Sequence, residues 1–170
     1  LKADGLRANA LVKGKNVTLC GRSGRDIDLL GELDQDIRLL ADKFGGVDMF
    51  FDGEFVVVDA NEKIVDRKTG NGIINKAIKG TISKEEAARV RFQVWDAFSL
   101  DEFYALKSRN DYESRFNALI NAMDTIKKDI DAAALVLAHG AFRIRAIPYK
   151  IVNNLAEAVE HFELLLGQGN

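Results

Sequence analysis

The chain opens on Lys2-Ala3-Asp4-Gly5-Leu6-Arg7, where a lysine near the start of a strand precedes an acidic residue and a turn glycine. Such a lysine can present its amine in a cleft. At an ordinary pKa near ~10.4 that amine is almost wholly protonated at neutral pH. Burial or a neighbouring cation must favour the neutral form before it can act as a nucleophile. The same hexapeptide would also suit an exposed surface lysine. A second candidate is Asp52-Gly53-Glu54-Phe55. Strand alternation puts Asp52, Glu54, Val56 and Val58 on one face and Phe51, Gly53, Phe55 and Val57 on the other. Two carboxylates beside a glycine could hold a divalent cation or a ribose hydroxyl, or could simply mark a solvated strand end with a bend.

The third candidate is Arg91-Phe92-Gln93-Val94-Trp95-Asp96, which contains the only tryptophan. Alternation groups Phe92 and Val94 with Asp96, and Trp95 with Arg91 and Gln93 on the more polar side. There the ring could stack on a base or lie beneath a second apolar layer. In the run from Asn71 to Thr81, Lys76 and Lys79 meet on one helical face as possible phosphate contacts. Arg22, beside Ser23-Gly24, is a further possible anion contact.

The positioning elements follow from periodicity and turn chemistry. Residues 6–12 and 17–22 alternate and predict a hairpin around Gly14-Lys15-Asn16. Leu30, Leu33, Ile37, Leu40, Ala41 and Phe44 repeat at helical spacing, and Gly45-Gly46 stops that helix. Residues 49–59 predict a strand ending at the turn residue Asn61. Gly70-Asn71-Gly72 breaks the next stretch, leaving one short helix through Ile73, Ala77 and Ile78. Ser83 and Glu86 have capping-box spacing for another. A strand over 90–98, a longer helix through Phe116, Leu119, Ile120 and Met123, and a strand over 142–152 interrupted by Pro148 come next. Asn154 and Glu157 cap a last helix through Leu155, Val159, Phe162 and Leu166. The fold class is α+β, a mainly antiparallel sheet flanked by helices.

At 170 residues, with 47% hydrophobic and 29% charged side chains, the chain suits one globular domain. No apolar run is long enough to span a bilayer, so no membrane partner is expected. The single Cys20 excludes an internal disulfide and a cysteine-rich zinc site, and the separated His139 and His161 make no histidine-built metal centre. A reducing, cytoplasmic setting is expected. The net charge of −2 hides an uneven distribution. Residues 1–25 carry six basic side chains against one acidic, and 63–91 eight against three, within an otherwise acidic chain. Local potential of that kind can serve a polyanion, although lysine-rich solvated faces give the same count.

Taken in order, these segments resemble the nucleotidyltransferase domain of ATP-dependent DNA ligases, most closely the T-even phage type. Lys2-Ala3-Asp4-Gly5-Leu6-Arg7 is similar to the family's lysine nucleophile motif, and Arg22 in Cys20-Gly21-Arg22-Ser23-Gly24 to the arginine of its second motif. Asp52-Gly53-Glu54-Phe55 resembles the Asp-Gly-Glu motif and Gln93-Val94-Trp95-Asp96 the aromatic-Asp motif. The run from Asn71 through Asp96, and Ile151-Val152-Asn153-Asn154-Leu155, are similar to the phage type in particular.

The resemblance implies a truncated nucleotidyltransferase (ATP-grasp-like) fold and three chemical steps. Lysine attacks the α-phosphate of ATP, releasing pyrophosphate and forming a lysine–AMP phosphoramidate. AMP then passes to the 5′-phosphate of a nick, and the 3′-hydroxyl displaces it to seal the strand. By resemblance Lys2 is the nucleophile, Arg7 and Arg22 bind nucleotide or nick phosphate, Glu54 contacts ribose or Mg²⁺, and Trp95 stacks on adenine. The cofactors implied are ATP and Mg²⁺, and the partner is nicked duplex DNA during replication, repair and recombination, met as a monomer. The sequence names no sliding-clamp partner. The family's next motif, Glu-Gly with a following lysine, would come after Asn170, and its DNA-binding and oligonucleotide-binding domains would flank this chain. Residues 1–170 are therefore expected to be an incomplete adenylation domain that seals no nicks alone and self-adenylates feebly or not at all. An RNA ligase, a capping guanylyltransferase, a non-catalytic DNA-binding module and an incomplete product without function are the alternatives.

Overall fold

In a computed structural model, residues 5–137 and 140–167 are described. Five strands form one sheet: β1 (Leu6–Lys13), β2 (Asn16–Gly21), β3 (Met49–Val57), β4 (Val90–Ser99) and β5 (Ile144–Ala146). Their order is β2-β1-β3-β4-β5. All neighbours are antiparallel except β4 and β5, which run parallel. The helices are α1 (Asp34–Asp42), α2 (Arg67–Ile78), α3 (Lys84–Ala87), α4 (Leu100–Tyr104), α5 (Tyr112–Asp131) and α6 (Leu155–Gly167). The α+β class holds, with a mixed sheet.

Alternation divides the sheet into two unlike faces. Ala8, Ala10 and Val12 of β1, Phe51, Phe55 and Val57 of β3, and Val90, Phe92 and Val94 of β4 enter a single core. Against them pack Ile37 and Leu40 of α1, Ile73, Ile74 and Ala77 of α2, and Leu119, Met123 and Ile126 of α5. The Phe55 and Phe92 rings tilt together at the centre with centroids 5.0 Å apart. Most of the helical surface is thereby spent on one side of the sheet. At its far end the opposite face is reached by α4, where Phe103 stacks on Phe50 at 4.0 Å and Phe98 lies 6.3 Å from Phe50.

Several sequence expectations need correction. The helix expected from Leu30 begins at Asp34, because Leu30 takes a left-handed backbone (φ 56°) and ends exposed. Gly70-Asn71-Gly72 does not break the chain. The Asp66 side chain accepts from the Thr69 N–H at 3.0 Å and caps α2, which starts at Arg67, four residues upstream of Asn71. Gly70 is buried, and a Cβ there would meet Val57 and Val65 only at ordinary contact distance, so the helix carries glycine's cost of about 1 kcal/mol without a close approach that demands it. Lys76 lies in α2 and pairs with Glu86, while Lys79 is only the C-cap. The strand expected over 142–152 shrinks to three residues. After the Ile147 N–H donates to the Val94 carbonyl at 3.2 Å, Pro148 has no N–H with which to extend the ladder. The capping boxes fare better: Ser83 with Glu86 reciprocally caps α3, and Asn154 accepts from the Glu157 N–H at 3.0 Å.

Candidate active site

Functional side chains gather on the face that the helices leave open. Register places Arg7 opposite Glu54 and Asn9 opposite Asp52 between β1 and β3. Glu54 lies opposite Gln93 between β3 and β4. Three segments far apart in sequence thus present side chains on one surface.

Two glycines allow this crowding. A Cβ at Gly5 would collide with the Phe55 carbonyl, and one at Gly53 would collide with the Gln93 carbonyl and sit 2.6 Å from the Phe92 ring. With no side chain, Gly5 lets the chain entering β1 cross close over β3. Its N–H donates to Glu54. Gly5 therefore ties the chain entering β1 to the carboxylate predicted for ribose or metal. Lys2 itself lies outside the described residues.

Between Asp52 and Gly53 the β3–β4 register shifts: Asp52 pairs with Asp96 and Gly53 with Val94, leaving Trp95 unpaired. This bulge corrects the expected grouping of Asp96 with Phe92 and Val94. One extra residue changes the parity of everything after it, so Asp96 and Phe98 turn to the open face while Ala97 enters the core. Asp96 is then held by Arg115 of α5 through two bonds of 2.8 Å and by the Ala97 N–H at 2.9 Å. The Arg115 guanidinium, raised in pKa first by its bond to Asp96, lies 4.4 Å from the Phe98 ring centroid.

Of the paired carboxylates, Asp52 is committed within the chain. Arg7 grips it with bonds of 2.6 and 3.2 Å, and Asn9 adds one of 2.8 Å. Its role is to fix Arg7, whose guanidinium carbon lies 5.8 Å from the half-buried Trp95 ring. Glu54, on the same face, accepts the Gly5 N–H. No group of three metal-ligating side chains occurs among the described residues. A single carboxylate nonetheless fits Mg²⁺, which is commonly held by one or two carboxylates and completed by water and substrate phosphates.

Arg22 stands exposed on the turn after β2, which is closed by bonds from Gly21 N–H to Arg25 O at 2.8 Å and from Gly24 N–H to Gly21 O at 2.9 Å. It lies where two cavities meet, and both are also lined by Arg7. The larger, about 780 Å³, runs over Asn9, Asp52, Phe50 and Phe98 toward α4. The smaller, about 630 Å³, lies between the start of β1 and α2. Neither is lined by Glu54 or Trp95, so the residues assigned to sugar and base occupy open sheet surface beside the cavities. Cys20, on the larger cavity, is kept a thiol by burial and then by the charge of Asp26.

The sequence reading missed Asn9, Arg115 and the Phe50–Phe98–Phe103 layer. The Ser99-Leu100-Asp101-Glu102 spacing was a legible signal for the last, since it caps α4. Gln93, read in the sequence as part of the aromatic-Asp motif on the polar side of its strand, is buried with Oε1 unpartnered, cross-strand from Glu54.

A sheet with one face packed and the other bearing arginines, acids and an indole is an α+β scaffold suited to a phosphorylated ligand. Family comparison is more specific. The chain belongs to the family described as ATP dependent DNA ligase domain, whose model matches residues 1–159. It is 32% identical to the DNA ligases of Enterobacteria phages T6 and T4, over 99% of its own length and 38% of theirs. The chain thus spans well under half of the relatives it matches. In fold it is similar to the ATP-dependent DNA ligase from bacteriophage T7 solved with ATP, at TM-score 0.58 and 16% identity, covering 95% of this chain and 50% of that one. It is likewise similar to the protein Pmar-Lig_Pre, at TM-score 0.65 and 17% identity, covering 96% of this chain and 33% of the other.

Proposed function

We propose that this chain provides the nucleotide-binding and lysine-adenylating surface of a DNA ligase, with ATP as nucleotide donor and nicked duplex DNA as acceptor. The supporting observation is the convergence of Arg7, Glu54 and Trp95 on one open sheet face, with Gly5 bonded to Glu54.

In this reading the Lys2 amine attacks the α-phosphorus of ATP, the bond to the β-phosphate oxygen breaks, and pyrophosphate leaves. Arg7, held by Asp52, and Arg22 draw off phosphate charge as it develops. They also disfavour the protonated state of a nearby amine. Glu54 takes a ribose hydroxyl or Mg²⁺, and the Trp95 ring offers a face to adenine. Mg²⁺, when bound, would neutralise the charge of the transferring phosphate. No helix among the described residues is long and apolar enough to cross a membrane, and a lone cysteine suits the reducing cytosol in which such a DNA partner would be met.

The test is incubation with α-labelled ATP and Mg²⁺, followed by mapping of the adduct. Any label should sit on Lys2, disappear in Lys2→Ala and be preferred from ATP over GTP. An adduct on another residue, equal labelling of Lys2→Ala, or preference for GTP would contradict the reading.

A further inference from the structure

Across the open face, register sets four side chains in a row. Arg7 of β1 lies opposite Glu54 of β3, Glu54 opposite Gln93 of β4, and Gln93 opposite Arg145 of β5. Phe92 and Val94, on either side of Gln93, enter the core, so its amide belongs to the open side. The residue is nonetheless only 6% exposed, and among the described residues its Oε1 has no hydrogen-bond partner. The neighbouring cations that could have supplied a donor are engaged elsewhere. Arg7 is bonded to Asp52. Glu62 takes both Arg91 and Arg145, and Arg91 also donates to the Ala88 and Val90 carbonyls at 2.9 and 3.0 Å. A buried acceptor without a donor is destabilising, and a ligand that brings the donor relieves it.

We propose that Gln93 is a specificity-determining residue for the nucleotide sugar: its Oε1 accepts one ribose hydroxyl while Glu54 beside it accepts the other, so that ATP is selected over its deoxy analogues. The proposal rests on the ligase reading of this face and deepens it. Cross-strand neighbours such as these have Cβ atoms about 5 Å apart, and a carboxylate and an amide oxygen are both acceptors. A cis-diol presents two adjacent O–H donors and matches that pair. A deoxy sugar leaves one acceptor unpaired again. The Gly5 N–H on Glu54 does not compete, because an ionised carboxylate has about four acceptor sites. A purine edge is a poorer match, since it sets an acceptor beside its amino donor and would turn that acceptor toward an oxygen. Side-chain rotation without backbone movement is the usual adjustment on binding and suffices here.

The experiment measures calorimetric affinities of ATP, 2′-deoxyATP and 3′-deoxyATP, with Mg²⁺ present, for the unaltered chain and for Gln93→Met, which keeps the length of the side chain and lacks its polar atoms. Gln93→Leu repeats the comparison with a second apolar replacement. The unaltered chain should bind ATP more tightly than either analogue. Gln93→Met should weaken ATP about tenfold, the range of one lost hydrogen bond. It should leave one deoxy analogue unchanged, so that the disadvantage of that analogue disappears. The other, lacking the hydroxyl assigned to Glu54, should weaken along with ATP. Urea unfolding of Gln93→Met should show no loss of stability, because the oxygen removed is unpaired in the free chain. Equal weakening of all three nucleotides, or an unchanged ATP affinity, overturns the proposal and leaves the ligase reading standing. So does an unchanged ranking of the nucleotides with a raised Mg²⁺ requirement, which would give the oxygen to the metal. Failure of the unaltered chain to bind ATP at all would remove the ligase reading along with it.

Discussion

The two faces of the sheet are built from the same strands and obey different rules. On the covered face Ala8, Phe51, Phe55 and Phe92 are fully buried, and their neighbours need only apolar bulk of the right shape. On the open face Arg7, Asn9, Asp52, Glu54, Gln93 and Asp96 are polar, and nearly every position is set by a named bond. Stability therefore resides chiefly on one face and chemistry on the other. A single bulge at Trp95 transfers Asp96 between them. Substitutions should separate the two properties.

The largest effect on folding should come from the covered face. Phe92→Ala should cost about 3–5 kcal/mol in urea unfolding, because it removes a ring packed against Phe55 and leaves a cavity. A loss below about 1 kcal/mol would mean the core is not organised as described. Next is Asp96→Ala, which leaves the Arg115 guanidinium, itself only 14% exposed, without its carboxylate. The expected loss is about 3 kcal/mol, and removal of both partners should cost less than the sum of the single changes.

Elsewhere on the open face, away from the Asp96–Arg115 pair, the effects should reverse. Trp95→Ala should weaken ATP binding about tenfold, the range of one lost base–aromatic stack, while the unfolding midpoint shifts little. A variant that unfolds more easily yet binds ATP normally would place Trp95 on the wrong side of the comparison. The smallest effect concerns Glu62, which bridges Arg91 and Arg145. Its carboxyl lies below the ordinary value of 4.5, first because of the Arg91 hydrogen bond. A lowered folded pKa contributes stability that is present above the ordinary carboxylate range and lost as pH falls through the lowered value. Since the side chain is 51% exposed, Glu62→Gln should cost under about 1 kcal/mol at pH 7. That difference should vanish in acid.

How legible this was depended on the kind of signal. Strand alternation in 49–59 placed Asp52 and Glu54 on one face and Phe51 and Phe55 on the other, as observed. The Ser83–Glu86 box and the Gly14 turn were readable because their chemistry is local. The bulge was not, since one inserted residue leaves no mark on composition yet reverses every later side chain. Nor was the bond from Arg7 to Asp52, which depends on a register between segments 45 residues apart. The glycines of α2 misled because their cost is local, whereas the burial of Ile73, Ile74 and Ala77 that holds the helix on the sheet is not. The four motif segments were recognisable by type and order; that Asp52 would serve Arg7 was visible only once β1 lay beside β3.

Trp95 is the only tryptophan, so its emission reports the open face without labelling. Titration with ATP and Mg²⁺ should change that emission saturably, GTP should do so more weakly, and Arg22→Ala should shift the ATP curve to higher concentration. Emission indifferent to ATP at concentrations where calorimetry detects binding would place the nucleotide elsewhere and contradict the division between the two faces.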